Sequence, residues 1–62
     1  MMNYVLDSSQ IGKLLDMGYF EGRRVPRTAV LIMPLDPDNA EPVVIDENGY
    51  KTPITPEQAS CL

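Results

Sequence analysis

Histidine is absent from the chain of 62 residues. That removes the usual general base and the commonest transition-metal ligand. Cys61 is the only cysteine; with no imidazole to activate it, it reads as a small apolar side chain in a tail, with an intermolecular disulfide or a modification as the sharper alternatives. Ser8, Ser9 and Ser60 have no partner pattern for nucleophilic catalysis. The carboxylates each have a simpler role as cap, turn residue or solvated charge. No enzymatic activity and no cofactor is expected.

Asp36-x-Asp38-Asn39 has the opening of a calcium loop. An EF-hand needs oxygen ligands at alternating positions, a glycine at the sixth and an acid at the twelfth. Here the fifth residue is Ala40, the sixth is Glu41 and the twelfth is Glu47, so only the two aspartates and Glu47 fit. The segment reads as a turn, and no metal site is expected. There is no glycine-rich phosphate loop.

Two charge groupings remain. Residues 36–48 hold Asp36, Asp38, Glu41, Asp46 and Glu47 with no Lys or Arg, in a chain of net charge −4. They form either a solvated turn or an acidic surface that imitates nucleic-acid phosphates and occupies a basic groove on a partner. Tyr50, close to Glu47, would then serve as an aromatic anchor, since tyrosine is enriched at binding hot spots. The other grouping is Arg23, Arg24 and Arg27, three of the five cations. It is a solvated loop or a docking patch for carboxylates or phosphates, which guanidinium groups bind bidentately. A DNA-binding helix-turn-helix would need a second helix after Gly18, and Gly22 and Pro26 interrupt that region. Overall acidity disfavours non-specific nucleic-acid binding.

The elements that position these groups follow from turn and cap signals. Asn48-Gly49 is the strongest, predicting a two-residue type I′ hairpin. This register pairs Val43 with Ile54, Val44 with Pro53, Ile45 with Thr52 and Asp46 with Lys51. It puts Val43, Ile45, Thr52 and Ile54 on a core face, and Val44 and Pro53 with the Asp46/Lys51 pair on the other. Pro53 cannot donate to a ladder, so it suits a non-hydrogen-bonded position and makes its strand a sheet edge. Ala29–Met33 is apolar without alternation and ends at Pro34, which favours a strand covered on both faces. The link Asp36–Pro42 is rich in turn formers and makes Val43–Glu47 the middle strand of a meander.

Upstream, Asp7 and Gln10 match a capping box, with Leu6 and Ile11 placed for a hydrophobic staple. Ile11, Leu14 and Leu15 follow helical spacing, and Gly18 sits where a left-handed C′ residue belongs, with Tyr19 closing over Leu14. This predicts a helix over Ser8–Met17. Gly12 weakens it by about 1 kcal/mol relative to Ala, and a glycine there would permit close approach to the sheet. Tyr19 and Phe20 are expected to cap the core. If Met2–Leu6 is a strand, the helix makes a βαβ unit with the first two strands parallel. Thr55, Pro56 and Gln58 start a short C-terminal helical turn.

The expected fold is therefore α+β: one small domain over residues 1–62, an antiparallel β-meander packed by one α-helix. The N-terminal βαβ unit would make it a mixed four-stranded sheet in order 1-2-3-4. One sheet face, with Val44 and part of 29–33, lacks an obvious cover; either Cys61-Leu62 folds over it or a partner does, since an exposed apolar patch of that kind marks an interaction site.

No segment approaches the roughly 20 apolar residues of a membrane span. The N-terminal residues lack the order of a signal peptide, and a lone thiol fits a reducing compartment, so the expected location is cytoplasmic. By elimination the chain reads as a small acidic protein that binds another protein with a basic surface. It would be an inhibitor or adaptor of the kind carried by phages and other mobile elements. The rival readings are a homodimer or assembly subunit using the uncovered face, and a nucleic-acid-binding module using the arginine loop.

Overall fold

The computed structural model describes residues 2–36 and 38–62. Met1 and the turn-forming role expected of Pro37 lie outside the described residues. The chain runs β1 (Met2–Leu6), α1 (Ser8–Asp16), β2 (Ala29–Met33), β3 (Val43–Asp46), β4 (Lys51–Pro53) and α2 (Pro56–Ser60). The strands form one sheet in the order β1-β2-β3-β4, and every neighbouring pair is antiparallel. It is a small α+β fold.

The helix ends form as the local signals dictate. The Asp7 carboxylate accepts from the Gln10 N–H at 2.9 Å, and the Gln10 side chain accepts from the Asp7 N–H at 2.9 Å. Both arms of the capping box are therefore made. At the other end Gly18 has φ +90°. Its N–H donates to the Leu15 carbonyl at 2.9 Å, and the Tyr19 N–H donates to the Leu14 carbonyl at 3.2 Å. This is the Schellman arrangement; Met17 is the C-cap, so the helix proper ends at Asp16, one residue short of the expected end. In α2, Thr55 Oγ1 accepts from the Gln58 N–H at 3.2 Å, with Pro56 in the first turn.

One expectation about Gly12 changes. A methyl group built there meets nothing within 4 Å, so no close approach requires the glycine. Gly12→Ala is expected to stabilise the fold by about 0.5–1 kcal/mol. A thermal melt should show the midpoint rising by roughly 4 °C; a fall would mean that the helix does not accommodate the added methyl group.

The β1–β2 pair is antiparallel, with Leu6 opposite Ala29 and Met2 opposite Met33. The parallel βαβ unit is thereby overturned. The crossover rule applies only when the connection ends at the far end of the sheet. Here residues 17–28 carry the chain back to the end where β1 stopped, and side chains described below pin them there.

The hairpin register also differs from the one expected. Val43 pairs with Pro53, Val44 with Thr52 and Ile45 with Lys51. The Asp46 N–H donates to the Tyr50 carbonyl at 3.2 Å and the Gly49 N–H to the Asp46 carbonyl at 3.0 Å. The loop is thus Glu47-Asn48-Gly49. Among the described residues no non-glycine has positive φ, whereas Gly49 has φ +83°. A type I turn followed by a left-handed glycine replaces the two-residue type I′ turn. Adding one residue to the loop turns every β3 side chain over. Val44 becomes a core residue at 1% exposure, while Val43 and Ile45 lie half-buried on the opposite face.

Pro53 still occupies a non-hydrogen-bonded position, opposite Val43 rather than Val44. The flanking bonds are Asp46 to Tyr50 and, at 2.9 Å, the Ile54 N–H to the Pro42 carbonyl. Antiparallel pairs alternate, so Val44–Thr52 is bonded and Val43–Pro53 is not. Strand β4 is a sheet edge, as its proline predicts.

The core lies on one side of the sheet. Leu6, Ala29, Leu31 and Val44 meet Ile11 and Leu14 of α1, Phe20 of the return segment, Ile54, and Ala59 of α2. Tyr19 packs against this cluster, as expected of a residue closing over Leu14. The other side carries Val5, Val30, Ile32, Val43 and Ile45. Both helices lie on the core side, and among the described residues nothing covers that second face. Its existence matches the sequence reading, but Val44 is not part of it.

Candidate interaction surfaces

The antiparallel sheet separates the acidic candidates into two groups at opposite ends. Asp36, Asp38 and Glu41 lie on the β2–β3 connection, beyond Met33. Asp46, Glu47 and Tyr50 lie at the hairpin tip, near the start of β2, where Arg23, Arg24 and Arg27 also lie. The acidic stretch of the sequence is therefore not one surface, and the arginine segment is not a separate one.

At the hairpin end, Asp46 is an internal residue. Its side chain is 4% exposed, and its Oδ2 lies 3.6 Å from Arg23 Nη1. Its Oδ1 accepts from the Asn48 N–H at 2.9 Å and the Tyr50 N–H at 3.1 Å. One carboxylate oxygen thus organises the hairpin loop, and the other holds the return segment. Arg23 completes the link. Its Nη2 donates to Thr52 Oγ1 and, at 3.4 Å, to the Tyr19 carbonyl. Its guanidinium carbon lies 5.2 Å from the ring centres of both Phe20 and Tyr50, within cation–π range. The Arg27 N–H donates to Glu47 Oε1 at 2.6 Å. Arg24 is exposed and, among the described residues, makes no ion pair. Sequence patterning offers no signal for the Arg23–Asp46 pairing, because the two residues meet only after the return segment and the hairpin have docked.

The opposite end is different. The Asp36 carboxylate accepts from the Asp38 N–H at 3.2 Å and from Asn39 Nδ2 at 2.5 Å, a self-contained turn. Among the described residues Asp36, Asp38 and Glu41 make no ion pair. Glu47 lies at the far end of the sheet, so the calcium-loop pattern does not close. Beside this turn the open face forms a groove of about 460 Å³, lined by Ile32, Pro34, Leu35 and Val43, with Asp36 and Glu41 on its wall. Leu35 is 84% exposed. Sequence reading passed over it; an apolar residue between Pro34 and Asp36 in a turn-rich link is the available signal.

Cys61 is exposed at the end of α2. Among the described residues, no helix is long and apolar enough to cross a membrane. No family model, no curated protein and no solved structure matches this chain.

Proposed function

We propose that the chain is a non-enzymatic protein-binding module, an inhibitor or adaptor whose partner presents apolar side chains flanked by Lys or Arg. The observation that carries this reading is the groove at the β2–β3 connection. It combines exposed Leu35 and half-buried Ile32 and Val43 with Asp36 and Glu41, and Asp38 adds a third carboxylate at the same end. An apolar floor supplies affinity, and exposed carboxylates at its wall, which make no ion pair among the described residues, select a cationic partner and speed encounter. Of the acidic candidates, Asp36, Asp38 and Glu41 are the ones exposed together at one end of the sheet. Asp46 is engaged within the fold, while Glu47 and Tyr50 border the arginine end. Nucleic-acid binding has less support, because Arg23 is spent on internal contacts and only Arg24 and Arg27 project from that segment.

The test is capture of a stoichiometric partner from the source cell, followed by titration of the purified pair. Changing Asp36, Asp38 and Glu41 together to Lys should weaken the affinity at least about tenfold, or 1.4 kcal/mol, with the fold kept but some stability lost with the two turn bonds to Asp36. Changing Asp38 and Glu41 alone should weaken it with an unchanged melting curve. Leu35→Ser should weaken it without altering its salt dependence. Equal affinity in the triple variant would remove this surface from consideration.

A further inference from the structure

The two edges of the sheet are treated differently. Strand β4 carries Lys51 and Pro53, the usual guards against pairing with another chain. Strand β1, Met-Asn-Tyr-Val-Leu, has no charge, no proline and no glycine, and Met2 to Val5 are exposed. Nothing among the described residues covers its outer side.

The bonding parity of β1 follows from the hairpin. Alternation carried across the sheet from the Ile54–Pro42 and Asp46–Tyr50 bonds turns the N–H and C=O groups of Met2, Tyr4 and Leu6 toward β2. Those of Asn3 and Val5 point outward. These two residues are separated by Tyr4 alone, which gives the edge its own symmetry.

We propose that β1 pairs with β1 of a second copy, antiparallel about a two-fold axis at Tyr4, joining two sheets into one of eight strands. Asn3 of each copy then lies opposite Val5 of the other, and the two pairs together make four hydrogen bonds. Tyr4 faces its own counterpart at a non-hydrogen-bonded position, where side chains approach most closely. A second copy satisfies the edge fully, because this register uses every outward group of Asn3 and Val5 in both chains. The edge is also neutral in a chain of net charge −4, so self-pairing brings no like charges face to face. The two-fold axis sets the Asp36–Glu41 end of one copy on the same side as the arginine end of the other. The joint is short and buries less than the ~800 Å² per partner of a standard interface, so the dimer is weak, with Kd on the order of 100 µM. It leaves the Leu35 groove open in both copies and stands independently of the binding reading.

The test is sedimentation velocity on the full chain from about 10 µM to about 1 mM, a range bracketing that Kd. The parent should shift from monomer to dimer. Val5→Pro removes only an outward N–H and should stay monomeric throughout with its melting curve kept; Val5→Lys, a guard that leaves the backbone unchanged, should do the same. In a Cys61→Ser background, Tyr4→Cys should form a disulfide-linked dimer on mild oxidation, since the cross-strand distance suits the bond, and Asn3→Cys should not. A parent that stays monomeric at the highest concentration overturns the proposal. So does a folded Val5→Lys variant that dimerises like the parent, or crosslinking through Asn3→Cys instead of Tyr4→Cys.

Discussion

Asp46→Ala is expected to destabilise the fold by about 2–4 kcal/mol. The change leaves the Asn48 and Tyr50 N–H groups without their acceptor and strands the Arg23 guanidinium among Phe20, Tyr50 and Thr52. Unsatisfied buried donors cost about 1–3 kcal/mol, less for part-buried N–H groups such as these two, which water reaches, and breaking a buried pair by removing one partner costs about 3–5 kcal/mol. The lower range applies here because the Arg23 side chain keeps 25% of its exposure. A domain of 62 residues at about 0.05–0.15 kcal/mol per residue has roughly 3–9 kcal/mol in total, so the variant loses a large share of it. Asp46→Asn separates the two functions of the carboxylate. Both backbone donors go to Oδ1, which an amide oxygen replaces, whereas Arg23 faces Oδ2, where an amide would oppose one donor with another. It should therefore cost less than Asp46→Ala. Urea titrations followed by far-ultraviolet circular dichroism give both values. An Asp46→Ala variant within about 0.5 kcal/mol of the parent, the range of ordinary surface changes, would show that the ion pair and the loop bonds contribute little.

Leu14→Ala should have the other large effect, about 2–5 kcal/mol, because the leucine is fully buried at 0% exposure and its removal leaves a cavity as well as losing apolar burial. Its neighbour Leu15 is 45% exposed, and Leu15→Ala should lie within about 0.5 kcal/mol of the parent. The two leucines are adjacent and chemically identical, so the contrast measures how α1 is rotated on the sheet. Equal costs in the same urea titration would mean that the helix sits differently. A chain this small buries only about 60% of its unfolded surface, so Leu14→Ala should bring it near the point where the unfolded state is populated without denaturant.

The open face and the hairpin end show why two charge groupings in the sequence do not map onto two surfaces in the fold. Arg23 and Asp46 come from different groupings and meet at 3.6 Å. That contact ties the return segment to the hairpin, whereas Asp36, Asp38 and Glu41 stay exposed at the other end with no ion pair among the described residues. Leu35, the most exposed large apolar side chain of the chain's described residues, then stands beside them.

What the sequence determined by itself was local. The capping box at Asp7, the left-handed Gly18, the Thr55-Pro56 start of α2 and the non-bonded placement of Pro53 each depend on a few neighbouring residues, and hydrogen bonds or ring constraints within that span decide them. The positions of β2 and β3 were legible for the same reason, since β-branched runs bounded by proline and turn formers admit few other conformations. The direction of β1 against β2, the one-residue shift of β3, and the fates of Arg23, Asp46 and Leu35 were left to the tertiary structure. A return segment can end at either end of a sheet, and Asn-Gly serves a three-residue loop as well as a two-residue one. The choice falls to long-range packing: turning β3 over buries Val44 and brings the Asp46 carboxylate to Arg23, a gain that no single segment contains.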